Sequence, residues 1–186
     1  MSQETTKNGQ EARSYLMLLV GDERATSDAA LGIALRASGY SLRVHIIEFQ
    51  KTGRERGEVV AASLLTGLSL TQYGTLTSER TPTESNDLGT TAERAEAAMR
   101  EAGVHVRQRV TNILILDGVL SLVKAGLVTD TAVLELVEMA APWLDVVATG
   151  LEASERLKKA ANSLTLMETI KETTHAVRDL RRGIHY

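Results

Sequence analysis

The residues best placed to do chemistry follow a short apolar run that ends in glycine. Residues 15–20 read YLMLLV, Gly21 follows, and Asp22, Glu23, Arg24, Ala25, Thr26, Ser27 and Asp28 lead into an alanine-rich stretch. A strand that turns through glycine into a helix is the usual place to hold phosphate. Backbone N–H groups at the helix start point at the anion, and the helix dipole favours it. The phosphate-loop signature G-x-x-x-x-G-K-[ST] is nevertheless absent from the chain. Thr26, Ser27 and Asp28 are good helix-capping types, so a capping role is the plain reading for them. Asp22 and Glu23 read as solvated turn residues.

Other chemistry is thinly represented. With no cysteine there is no disulfide scaffold, thiolate metal site or cysteine nucleophile. His45 lies inside a strand-like run and reads as a hydrogen-bonded structural histidine. His105, His175 and His185 show no metal-ligand spacing such as H-E-x-x-H. No Ser-His-Asp arrangement can be picked out. Trp143, after Pro142, reads as a core or interface anchor. The charged stretch KTGRERGE at 51–58 reads as a solvated loop.

The elements that must position these residues alternate in type. Strands are expected at 15–20, 42–49, 68–73, 112–116, 144–148 and 164–168. Their continuous apolar runs suit a sheet buried on both faces. Helices are expected from Thr26 or Ser27 to Gly39, and at 59–65, 90–107, 130–141 and 152–161. Residues 1–14 lack apolar periodicity and read as a flexible N-terminal arm. Residues 74–89 are rich in Thr, Ser, Pro and Gly and read as a surface loop, and a polar tail runs to Tyr186. The rest, 15–186, reads as one α/β domain with a mostly parallel sheet of about six strands. Such a sheet binds ligands beyond the carboxyl ends of its strands.

Composition sets the outer limits. A chain of 186 residues suits one domain with its own core. The net charge of -3 argues against a nucleic-acid partner. The polar N-terminus lacks the apolar core of a signal peptide. No apolar run is long enough to cross a membrane. With the missing cysteines, this suits a cytoplasmic setting.

Taken in register, these motifs resemble the corrinoid adenosyltransferases of the P-loop type. That family's first strand ends in G-N-G-K-G-K-T-T, followed by A-A-x-G and R-A. Here Ala29-Ala30-Leu31-Gly32 and Arg36-Ala37 stand at the matching places. The family's Q-F-x-K-G and later G-E are matched by Glu48-Phe49-Gln50-Lys51 and Gly57-Glu58. Its L-D-E, T-G-R and C-terminal R-x-G-I are matched by Leu116-Asp117-Gly118, Thr149-Gly150-Leu151 and Arg182-Gly183-Ile184. The resemblance implies a P-loop NTPase-like α/β fold and commonly a homodimer. It also implies ATP, magnesium and a corrinoid as ligands. Gly21, Arg24, Thr26 and Ser27 then occupy nucleotide-binding positions, and Asp117 occupies a metal position. The other reading of Asp117 is a strand-end residue capping the next turn.

The departures from the family pattern bear on activity. Glu23 and Ala25 replace loop glycines, and Thr26 replaces a lysine. Arg24 alone keeps a charge at a lysine position, and Ser27 keeps a hydroxyl at the magnesium-facing one. Asp22, Glu23 and Asp28 add carboxylates. One carboxylate about 5 Å from a phosphate charge costs roughly 3 kcal/mol at an effective dielectric near 20. Gly118 stands at the family's glutamate and Leu151 at its arginine. Residues 74–77 lack the aromatic pair that enterobacterial members place against the corrinoid. The expectation is a diverged homologue with little or no transferase activity and a binding or regulatory role. An intact adenosyltransferase is a further expected partner. The alternative is an active ATP:corrinoid adenosyltransferase with remodelled nucleotide contacts.

Overall fold

The computed structural model describes residues 14–51, 53, 56–74, 90–171 and 181–184. Six strands and six helices run β1 (Leu16–Gly21), α1 (Glu23–Gly39), β2 (Val44–Phe49), α2 (Gly57–Leu64), β3 (Leu68–Tyr73), α3 (Thr91–Gln108), β4 (Ile113–Asp117), α4 (Val119–Lys124), α5 (Asp130–Ala140), β5 (Asp145–Gly150), α6 (Glu155–Ala160) and β6 (Ser163–Met167). The strands form one sheet in the order β3-β2-β4-β5-β1-β6. Every pairing is parallel. The expected α/β class and six-stranded parallel sheet are found.

Alternation along the strands divides the core. Leu16, Leu18, Ile47, Phe49, Leu114 and Leu116 pack with α3, α4, α5 and α6 on one face. Leu19, Val44, Ile46, Ile115 and Val147 pack against α1 on the other. Because β2 and β4 lie inside the sheet and are buried along nearly their whole length, they are mostly apolar, with His45, Glu48 and Asp117 as the exceptions. Ala30, Ala34 and Ala37 form the buried stripe of α1. Their small side chains, at i, i+4 and i+7, bring the helix close to the sheet. Each fully buried Leu or Ile contributes about 1.5–3 kcal/mol of transfer free energy.

Two details differ from the sequence reading. A short helix, α4, follows β4 directly, and its burial of Val119, Leu120 and Leu122 explains the apolar run there. The first helix starts at Glu23 with Asp22 as its N-cap, rather than at Thr26 or Ser27. No glycine interrupts residues 22–28, so nothing holds them in an open loop, and they coil into the helix. The arm up to residue 13, the 75–89 loop with the corrinoid-facing segment beyond Gly74, His175, His185 and most of the tail lie outside the described residues, while Ser14 is buried and donates to the Leu144 carbonyl.

Candidate functional site

The connections from β2 and β4 leave the sheet in opposite directions, because β2 leads outward to β3 while β4 leads to β5. The carboxyl ends of two such neighbours form the usual ligand crevice of an open α/β sheet. Lys51 lies just past the end of β2, and Asp117 is the last residue of β4. Lys51 Nζ donates to Asp117 Oδ2 at 2.6 Å and to Ser27 Oγ at 2.5 Å. Ser27 Oγ is itself 2.8 Å from Asp117 Oδ1. Thr149 Oγ1 donates to the same Oδ1 at 2.6 Å and accepts the Gly118 N–H at 2.8 Å. The Asp117 side chain is only 3% exposed. Four elements thus converge on one buried carboxylate, which is neutralised by one ammonium and satisfied by two hydroxyls. The expected alternative, in which Asp117 caps the next turn, is overturned. Gly118 occupies that N-cap in a left-handed conformation, without a side-chain bond.

The start of α1 is closed by its own side chains. Asp22 Oδ1 accepts the Ala25 N–H at 2.9 Å, and Asp22 Oδ2 accepts from Thr169 Oγ1 at 2.9 Å. The Ala25 amide and the Thr169 hydroxyl hold the Asp22 carboxyl below its ordinary range. Thr26 is fully buried and turns its hydroxyl back to the Glu23 carbonyl at 3.1 Å. The Glu23 carboxylate accepts from Ser121 Oγ at 2.6 Å. Asp22 and Glu23 are therefore structural partners, not idle turn residues.

Gly21 has φ 117, and an added Cβ would meet the Met167 carbonyl oxygen at 2.0 Å. That contact with β6 accounts for glycine at this position without any phosphate.

Beside this centre lies a cleft of about 420 Å³ bordered by Arg24, Ser27, Asp28, Lys51, Arg56 and Glu58. Its charges are mixed. Burial, then the nearby Glu58 carboxylate, raises the Asp28 pKa. Glu48, a partner of the cleft residue Arg56, is almost wholly buried and accepts from Gln72 Nε2 at 2.7 Å and Arg56 Nη1 at 3.2 Å. Burial raises its pKa despite these partners. Arg56 also pairs with Glu58.

Of the expected nucleotide-binding residues, Arg24 and Ser27 border the cleft, Thr26 borders a smaller one of about 150 Å³ with Ser27, Lys51, Gly118 and Thr149, and Gly21 is turned to a packing role. The stretch from 51 to 58 is not simply a solvated loop, since Lys51 and Arg56 neutralise buried carboxylates at Asp117 and Glu48. The signal for Lys51 was its place just after a strand, where a long flexible cation can reach back over the sheet edge. Trp143 is an anchor as expected. Its Nε1 donates to the Val106 carbonyl at 3.3 Å, and the Arg109 guanidinium lies 3.7 Å from its ring centre.

Comparisons with known proteins agree with this architecture. A corrinoid adenosyltransferase from Pseudomonas aeruginosa is 24% identical over 183 residues, covering 98% of this chain and 89% of the relative. The crystal structure of a KaiC-like protein from Pyrococcus horikoshii superposes with a TM-score of 0.51 at 13% identity. That match covers 87% of this chain and 76% of the other, and it speaks to the fold alone. The model of the ATP:corrinoid adenosyltransferase BtuR/CobO/CobP family matches residues 12–186. With that match running through the sheet and the strand-end centre alike, the chain belongs to the ATP:corrinoid adenosyltransferase family.

Proposed function

We propose that this chain is a diverged family member that retains the scaffold, has little or no adenosyl-transfer activity, and acts as a binding or regulatory protein. The observation that carries the reading is the Lys51 ammonium seated between Ser27 and Asp117. Those are the two residues that the family resemblance assigns to magnesium. A hard dication needs a set of oxygen ligands. Here Asp117 Oδ2 and Ser27 Oγ already bind a cation, Asp117 Oδ1 is engaged by two hydroxyls, and Gly118 offers no carboxylate. Magnesium does not fit this donor set.

The start of α1 supports the same reading. A triphosphate needs free backbone N–H groups, yet the Asp22 carboxylate already caps the helix. A carboxylate in that place repels a phosphate as well as displacing it.

A corrinoid remains the expected ligand, and the family resemblance makes a homodimer the expected assembly. Calorimetry with magnesium and ATP, beside a visible-absorption titration with a cobalamin, tests the proposal. No saturable ATP heat up to millimolar concentration, with a cobalamin spectral change, is expected. Micromolar ATP binding overturns it.

The alternative is an active transferase with remodelled contacts. Arg24, Lys51 and Arg56, three cations around the cleft, favour it. Turnover of ATP to an adenosylated corrinoid under reducing conditions would establish that alternative. Co-purification with an intact adenosyltransferase tests the partner role.

A further inference from the structure

A second polar cluster lies between the sheet and α3, on the face away from α1. Most of that face is apolar, but β3 presents Ser69, Thr71 and Tyr73 to it at alternate positions. In β2, His45 stands opposite Ser69. Glu101 and His105 come from α3 and, at i and i+4, share one side of the helix. Three elements therefore deliver two imidazoles and one carboxylate, with their hydroxyl partners, to a common point.

The geometry around that point is specific. His45 Nε2 is 2.9 Å and His105 Nε2 is 3.7 Å from the same oxygen, Glu101 Oε1. The ligand atoms of the three residues all lie within 4.8 Å of one another. The imidazoles are stacked, with centroids 3.8 Å apart and planes 12° from parallel. Stacking leaves the two Nε2 lone pairs nearly parallel, so one ion reaches both only if a ring turns, and His105, the more exposed of the two, is the one with room to do so. A tetrahedral ion with bonds of about 2.0–2.1 Å holds its ligand atoms roughly 3.3 Å apart. The two histidine–glutamate separations, 2.9 and 3.7 Å, lie either side of that value.

The outer partners complete the arrangement. His45 Nδ1 is held by Ser69 Oγ at 2.7 Å, and His105 Nδ1 by Thr111 Oγ1 at 2.9 Å. Each Nδ1 is engaged by a hydroxyl and His45 Nε2 by Glu101 Oε1, so a bound ion takes the place of that last hydrogen bond. Glu101 Oε1 accepts from Thr71 Oγ1 at 2.9 Å, and Oε2 accepts from Tyr73 OH at 2.5 Å. Ligating histidines and carboxylates are commonly oriented by outer hydrogen bonds of this kind. Side-chain exposures of 19% for His105 and 21% for Glu101 leave a path for an ion and a water.

We propose that His45, Glu101 and His105 form a binding site for one divalent metal ion of the zinc class, with a fourth position open to water. The donor set of two imidazoles and one carboxylate suits zinc or cobalt better than magnesium or calcium, which prefer oxygen throughout. Burial, aided by the neighbouring His105, lowers the His45 pKa. Burial opposes ionisation of Glu101, but the bonds from Tyr73 and Thr71 outweigh it and lower its pKa. The site ties β2 to α3 and is built from residues separate from the Lys51–Asp117 centre.

The full-length chain, free of any affinity tag and stripped with chelator, is titrated with cobalt(II) alone and then with zinc(II) as competitor. Visible absorption and thermal unfolding are followed. Expected are saturation at one equivalent, ligand-field bands that zinc abolishes, and a raised Tm. His105→Ala removes a partly exposed ligand and weakens cobalt binding by more than the roughly 10–100-fold that an outer partner is worth. Ser69→Ala, which disturbs only a positioning bond, falls within that range. A titration that does not saturate overturns the proposal. So does cobalt affinity unchanged in both His105→Ala and Glu101→Gln, with wild-type Tm showing that each variant is folded. In either case the cluster is a hydrogen-bond network only.

Discussion

Lys51 Nζ lies 2.6 Å from Asp117 Oδ2, which joins the segment beyond β2 to the last residue of β4. The contact spans two neighbouring strands whose chains then leave in opposite directions. The lysine side chain is 25% exposed, and the aspartate 3%. Lys51→Met therefore strands a buried carboxylate with only hydroxyl donors. Removing one partner of a buried pair costs about 3–5 kcal/mol. Partial exposure of the lysine brings the expected loss to about 2–3 kcal/mol. Adding Asp117→Asn relieves the unpaired charge, so the double variant loses less than the two single losses added together. Urea unfolding of the four proteins checks this. Strict additivity would show that the pair is not coupled.

Removal of the first helix cap has a smaller and more local effect. Asp22→Ala deletes the acceptor of the Ala25 N–H and is expected to cost about 1 kcal/mol. Asp22→Gly costs only a few tenths, because glycine is tolerated at an N-cap. The wild-type carboxyl is held below its ordinary value of 3.8 in the folded chain. Its contribution is thus present above that pH and is lost as pH falls through the lower folded value. The gap between wild type and Asp22→Ala should close in acid, as measured by urea midpoints from pH 7 downward. A gap that widens toward acid contradicts the capping role.

Glu48 has the opposite sign. Burial raises its pKa above the ordinary 4.5, with Gln72 and Arg56 only partly offsetting the effect. Between the unfolded and folded values the native state holds a proton that the unfolded chain has released. Stability from this group therefore falls as pH rises from about 4.5 and levels off above the folded pKa. Glu48→Gln removes that dependence. The stability of wild type relative to Glu48→Gln should decline with pH across this window in urea unfolding. A difference that grows with pH would mean that the Arg56 pair outweighs burial.

Much of this was legible in the sequence, for physical reasons that differ by element. The apolar runs around Leu18, Ile46 and Ile115 announced strands because both faces of the sheet are covered. The alanine-rich stretch after Asp28 announced a helix. The start of that helix was misplaced, because Thr26 and Ser27 are equally good caps and only the packed structure chooses Asp22. The strand-end centre was half visible. Ser27, Asp117 and Thr149 stood in family register, but the reach of Lys51 depends on a flexible side chain crossing between strands. The His45 cluster was hidden because His45 lies far from Glu101 and His105 in sequence and meets them only when β2 packs on α3.

Gly118 gives the sharpest test of the proposed reading that magnesium has no place at this centre. It stands where the family resemblance places a glutamate, so Gly118→Glu looks like a repair. The backbone argues otherwise. Gly118 has φ 92, and an added Cβ would sit 3.3 Å from the Phe49 carbonyl oxygen. A non-glycine residue with this left-handed backbone is strained by about 1–3 kcal/mol. The new carboxylate would also lie beside Asp117, whose one ammonium partner is already committed. Gly118→Glu is therefore expected to lose about 1–3 kcal/mol in urea unfolding and to show no magnesium-dependent ATP heat in calorimetry. Combining it with Lys51→Ala empties the cation position and supplies the second carboxylate. Magnesium binding gained in that double variant, and absent from Gly118→Glu alone, would identify the Lys51 ammonium as the group that excludes the metal. Magnesium binding to Gly118→Glu alone would refute that role for Lys51.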